Sequence, residues 1–144
     1  MKKFEIIEHP ADVGFVAYGT TLAELFETAA LALCSLACGP EKIEERTSCD
    51  VGASGSDLGS LLYAWLAEIL AIADADQLVF RRVEVAHLRE PQAGAPGEVR
   101  GIAHGEPFDR SRHCAGTYIK AVTLHQFSVE RTANGYRARV FLDL

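Results

Sequence analysis

The chain predicts an α+β domain in which two amphipathic helices pack on a mixed, mainly antiparallel β-sheet. Two segments, 21–38 and 57–73, carry apolar residues at helical spacing, and seven others read as strands. The order β, β, α, β, α and then four strands also lacks the regular alternation of a Rossmann fold. With 144 residues, 49% of them apolar, the chain has material for one well-buried core, so a single domain spanning 1–144 is expected.

The elements follow in order. Residues 3–8 and 12–18 alternate as strands, with Val13, Phe15 and Ala17 on one face, and His9-Pro10-Ala11 separates them. Leu22, Leu25, Phe26, Ala29, Leu33 and Leu36 then mark a helix, opened by Thr21 and Glu24 as a capping box and stopped by Gly39-Pro40. A short exposed strand is expected over 43–51, followed by a flexible "GASGSD" approach to the second helix, with Ser56 or Asp57 as its N-cap. Leu58, Leu61, Leu62, Trp65, Leu66, Ile69 and Leu70 form the stripe of that helix. Strands are expected at 78–88 and, more weakly, 97–106, joined by the Pro/Gly loop "REPQAGAPG". The last two strands, 117–131 and 136–143, flank "TANG", where Asn134-Gly135 is a hairpin-turn pair.

The formal charge of −6, from 14 basic and 20 acidic residues, argues against strong direct nucleic-acid binding, which needs cations to displace counterions from phosphates. No run approaches a membrane span and Glu5 and Glu8 interrupt any signal-peptide core, so a soluble cytoplasmic protein is expected. The four cysteines include no C-x-x-C pair. Cys34 and Cys38 stand four apart on a helix without a second close pair, and all four read as reduced, small hydrophobes.

No Walker A, G-x-G-x-x-G, G-x-S-x-G or H-E-x-x-H motif is present. The polar residues at strand ends and breaks are His9, Asp12, His104, Glu106, Asp109, His113, Lys120, His125 and Asp143. A sheet that pairs the terminal strands would bring Asp12 and Asp143 together, and two close carboxylates are stable only with a cation or proton between them. By spacing alone, a turn-capping Asp12 and a solvated Asp143 are the favoured reading. The alternative is a hard-oxygen site for Mg²⁺, Ca²⁺ or Mn²⁺, with a carbonyl such as that of Leu144 completing it. Lys120 reads as an ordinary outward lysine, the histidines as structural, and 109–113 as a solvated charged loop.

The string "HPADVGFVAYGTTLAELFETAALAL" resembles the opening of the archease family, and "IKAVTLHQFSVER...GYRARVFLDL" is similar to its close. "GEPFD...RH" and "LLYAWLAEIL" resemble its connecting segment and second helix. Departures from the usual pattern are His9-Pro10 in place of the commoner His-Thr, and Cys114 and Gly116 where relatives often carry more polar residues.

The resemblance implies a protein cofactor of the RtcB-type RNA ligase. That ligase joins a 2',3'-cyclic phosphate or 3'-phosphate end to a 5'-hydroxyl after GTP-dependent, metal-dependent guanylylation of a histidine. It implies no ligation by the chain itself, and an indirect role with tRNA or broken RNA in tRNA splicing or RNA repair. Asp12 and Asp143 match the family's metal-binding acids, and Leu144 the position supplying a further oxygen. The resemblance thereby reverses the order of the two readings in favour of metal, with Ca²⁺, Mg²⁺ or Mn²⁺ as the cation. Lys120 matches the functionally important lysine of "IKAVT", and His9 is grouped with it as a partner-contact residue. The competing classes are a small metal-dependent phosphohydrolase using Asp12, Asp143 and His9, and a general chaperone.

Overall fold

A computed structural model describes residues 3–8, 12–113 and 116–144, apart from the side chains of Glu8 and Asp12. The strands are β1 (Phe4–Glu8), β2 (Asp12–Gly19), β3 (Thr47–Gly55), β4 (Leu78–Arg89), β5 (Gly97–Pro107), β6 (Ala121–Thr132) and β7 (Gly135–Asp143). The helices are α1 (Leu22–Ala37) and α2 (Leu58–Asp76), with a 3-10 turn over Pro40–Lys42. The two expected helices lie on antiparallel strands. These divide into two sheets, ordered β1-β2-β7-β6 and β3-β5-β4, and every described strand pairing is antiparallel.

One hydrophobic cluster joins the layers. Phe15 and Ala17 of β2, Leu25, Phe26 and Leu33 of α1, Leu61, Trp65 and Leu66 of α2, Val99 of β5 and Val140 of β7 all belong to it. α1 packs on β2 and β4, and α2 on β3 and β6, so each helix touches both sheets. The Trp65 indole N–H donates to the Phe26 carbonyl at 3.1 Å, which removes the one polar cost of burying that ring.

The cap of α1 works with a one-residue shift. Thr21 Oγ1 accepts from the Glu24 N–H, but the Glu24 carboxylate reaches back to the N–H of Thr20. Asp57 is the N-cap of α2, accepting from the Ser60 N–H at 2.7 Å. By length and composition α2 could cross a bilayer, which corrects the expectation that no segment approaches a span. Its fully buried Leu61, Leu62, Trp65 and Leu66 instead give it the pattern of a core helix.

Other boundaries move for long-range reasons. β3 occupies 47–55 rather than 43–51, because Gly52 to Gly55 each find a partner on β5, from Arg100 to Gly97; pairing overrides the loop preference of "GASG". α2 runs three residues past its expected end, to Asp76, and stops where Gln77 turns left-handed at φ 52°. β6 begins at 121, not 117. The residues just before it close a helix end instead of extending the strand. The N–H groups of Gly116 and Thr117 donate to the carbonyls of Ala37 and Leu36, both at 3.0 Å, satisfying the end of α1. At the final hairpin Thr132 pairs with Gly135, leaving Ala133-Asn134 as the loop. Gly135 carries a φ of 142°, a backbone region that favours glycine.

The thiols behave as expected where described. Cys34 and Cys49 are partly buried, and burial pushes Cys34 up to about 12, far from the reactive thiolate. Cys114 lies outside the described residues.

Candidate functional site

β2 and β7 are the central pair of the four-stranded sheet, and their register sets Asp12 opposite Asp143. Directly opposed positions of antiparallel strands share one face, so the ends of these two strands converge, the closure that periodicity alone could not establish. On the other side of β7, Ala121 is opposite Asp143, and the Lys120 N–H donates to the Asp143 carbonyl at 2.8 Å. Three positions far apart in the chain thus meet at one end of the sheet.

The packing explains the exposure at this end. Val13, Val122 and Leu142 are buried, alternation sets Ala121 and the opposed Asp143 on the other face, and Lys120, just before β6, is exposed. Asp143 and Lys120 are exposed, and neither has a side-chain partner among the described residues. No group of three His, Cys, Asp or Glu side chains converges among the described residues. The Asp12 side chain and all of His9 lie outside them.

A second polar constellation contradicts the reading of 109–113 as a solvated loop. Glu106, 1% exposed near the end of β5, accepts from the Arg112 guanidinium, from the Glu44 N–H at 2.7 Å and from His113 Nε2 at 3.0 Å. His113 Nδ1 accepts from the Asp109 N–H at 2.8 Å, which leaves the ring proton on Nε2 for Glu106. The Arg112 guanidinium, the Glu44 N–H and His113 hold the Glu106 carboxyl down to about 2. Asp109 caps its own turn through Ser111, at 2.9 Å to the N–H and 2.7 Å to the hydroxyl. A buried carboxylate demands partners, and the loop supplies them, so Arg112 and His113 point inward.

His104 and His125 also make contacts within the fold. His104 Nε2 lies 2.7 Å from Glu84, and the His125 ring packs 5.9 Å from Phe141.

Two antiparallel sheets packed with two helices, with two opposed aspartate positions and a lysine at one end of the central strands, define a small α+β module. The sequence profile of the archease protein family matches residues 4–144, and the chain belongs to that family. It is 40% identical to the protein archease of Methanosarcina mazei over 145 residues, spanning 99% of this chain and 97% of that one. It is 34% identical to the protein archease of Sulfolobus acidocaldarius over the whole of both chains. The solution structure of Methanobacterium thermoautotrophicum protein 1598 superposes with a TM-score of 0.83 at 33% identity, over 100% of both chains. A crystal structure from Thermotoga maritima, reported as an archease and possible chaperone, shares the fold at a TM-score of 0.59 and 18% identity. That match covers 96% of this chain and 94% of that one.

Proposed function

We propose that the chain activates an RtcB-type RNA ligase, promoting its GTP-dependent guanylylation and its repeated turnover in tRNA splicing or RNA repair in the cytoplasm, without catalysing ligation itself. One observation supports this reading above the rest: Asp12 and Asp143 stand opposed on the central strands, with Lys120 tied by its backbone to Asp143. In this reading Asp12, Asp143 and an oxygen of Leu144 hold a divalent cation, a hard-oxygen set suited to Mg²⁺, Ca²⁺ or Mn²⁺. When bound, the cation would supply positive charge against a nucleotide triphosphate.

The protein's own residues do the rest. The buried Val13, Val122 and Leu142 make the sheet end rigid, so the acids and the lysine are presented with little left to order on binding. Lys120, exposed and without a side-chain partner among the described residues, offers a compact ammonium to a carboxylate or phosphate of the ligase site. Preferential binding to the guanylylation-competent ligase then shifts its population.

The test measures guanylylation and multiple-turnover joining by the same organism's ligase with wild type, Asp143→Ala and Lys120→Ala. Stimulation by wild type that both variants lose is the expected result. Full stimulation by Asp143→Ala would sink the metal part of the reading, and ligase-independent suppression of aggregation for unrelated proteins would favour a general chaperone.

A further inference from the structure

Four large apolar side chains are prominently exposed among the described residues, and three of them flank the acid–lysine end: Tyr118 at 66%, Leu124 at 70% and Leu144 at 38%. Tyr118 precedes Lys120 by two residues and Leu144 follows Asp143. Leu124 lies three residues beyond Ala121, the position opposite Asp143, which is roughly 10 Å along a strand. The fourth, Ile6, sits on the edge strand β1 opposite Phe15.

The backbone accommodates this exposure. Between Thr123 and Ser128 the pairing of β6 with β7 slips, and Gln126 adopts a left-handed φ of 50°. Through this irregularity Phe127 packs against the core and sets its ring 6.0 Å from Tyr63, while Leu124 stays outside. A regular strand would have no need of a non-glycine residue at positive φ, and such bulges re-aim side chains at sheet ends. On the other flank Tyr118 borders a cleft of about 270 Å³ that is also lined by Leu70, Ala73 and Phe108. The cleft gives a partner side chain somewhere to go beside the tyrosine.

Resting on the ligase reading above, we infer that Tyr118 and Leu124 are the apolar anchors of the partner interface, gripping the ligase on either side of Asp143 and Lys120. The chemistry required of the partner is an apolar rim around a charged centre, with cationic groups or metal facing Asp143 and anionic groups facing Lys120. A protein suits this better than RNA: leucine offers no stacking face, and the chain's net charge is −6. Tyrosine is a frequent hot-spot residue, and charged groups surrounded by desolvating apolar contacts interact more strongly than in open water.

Anchors and working groups separate in a titration. Guanylylation of the same organism's ligase is followed against increasing wild type, Tyr118→Ser/Leu124→Ser, Ile6→Ser and Asp143→Ala, with melting temperature and oligomeric state measured for each. The double variant is expected to raise the half-saturating concentration about tenfold or more, with the plateau and melting temperature kept. Ile6→Ser should leave both parameters unchanged, and Asp143→Ala should lower the plateau. An unshifted half-saturating concentration for the double variant, with wild-type stimulation intact, overturns this inference alone. A wild-type dimer that the double variant dissociates overturns it too, because a second copy then occupies the patch. Absence of wild-type stimulation overturns the ligase reading and this inference together.

Discussion

Two polar constellations sit in this small protein, and they are built in opposite ways. Around Glu106 the buried charge is matched: the carboxylate is 1% exposed, and a half-buried guanidinium, a backbone N–H and a buried imidazole all donate to it. At the far end of β7, Asp143 and Lys120 are exposed, and only their backbones are tied together. A satisfied, buried cluster has little capacity left for a ligand, whereas an unsatisfied, exposed one on a rigid frame has nearly all of it. The difference separates residues that hold this fold from residues that can act on something else.

The largest effects are expected on the buried side. Gly105 lies where an added Cβ would run into the Val79 carbonyl and stand 2.8 Å from the Phe80 Cα, so Gly105→Ala should cost about 1–3 kcal/mol in urea denaturation, with backbone atoms unable to yield cheaply. Glu106→Gln should lower the melting temperature clearly while leaving ligase activation per folded molecule unchanged; unchanged stability would mean that the cluster is not the clasp described here.

The pH dependence sharpens the same point. A carboxyl held at about 2 in the folded state, against an ordinary value of 4.5, contributes stability that is fully present above the unfolded value. That contribution fades as pH falls from 4.5 through about 2. Glu106→Gln should therefore flatten part of the acid limb of a melting-temperature profile and leave the neutral limb parallel to wild type.

Smaller effects test the open side. Thr21→Ala removes the side-chain cap of α1 and should cost about 1 kcal/mol without altering ligase activation, since the other end of that helix carries the contacts to 116–117. Asp143→Ala and Lys120→Ala should leave stability within the roughly 0.5 kcal/mol usual for surface changes, while lowering the proposed ligase activation about tenfold or more. A large loss of stability in either would place them with Glu106, as structural groups.

Particular residues show why the two regions differed in legibility. The alternation of Val13, Phe15 and Ala17 already marked a core face, but periodicity alone could not establish that Asp12 and Asp143 would pair; the β2–β7 register did. The same string that drew attention to "GEPFD...RH" gave no sign that Glu106 would be buried. A lone glutamate followed by arginine and histidine six and seven residues later is as common on solvated loops. The slip in β6 at 124–127 was hidden for a similar reason, because "TLHQF" reads as an ordinary strand.

Residue order by itself determined the two helices, the Thr21 cap of the first, the choice of Ser56 or Asp57 for the second, and the seven strands. These follow from local periodicity, which states which face of each element must leave water. Only the tertiary structure decided that the strands form two sheets, that β3 runs on to Gly55, that 116–117 close the end of α1, and that Glu106 is neutralised from three sides. Those outcomes depend on partners distant in the chain, and the energy of a backbone pairing or a buried charge is set by what it meets rather than by its neighbours in sequence.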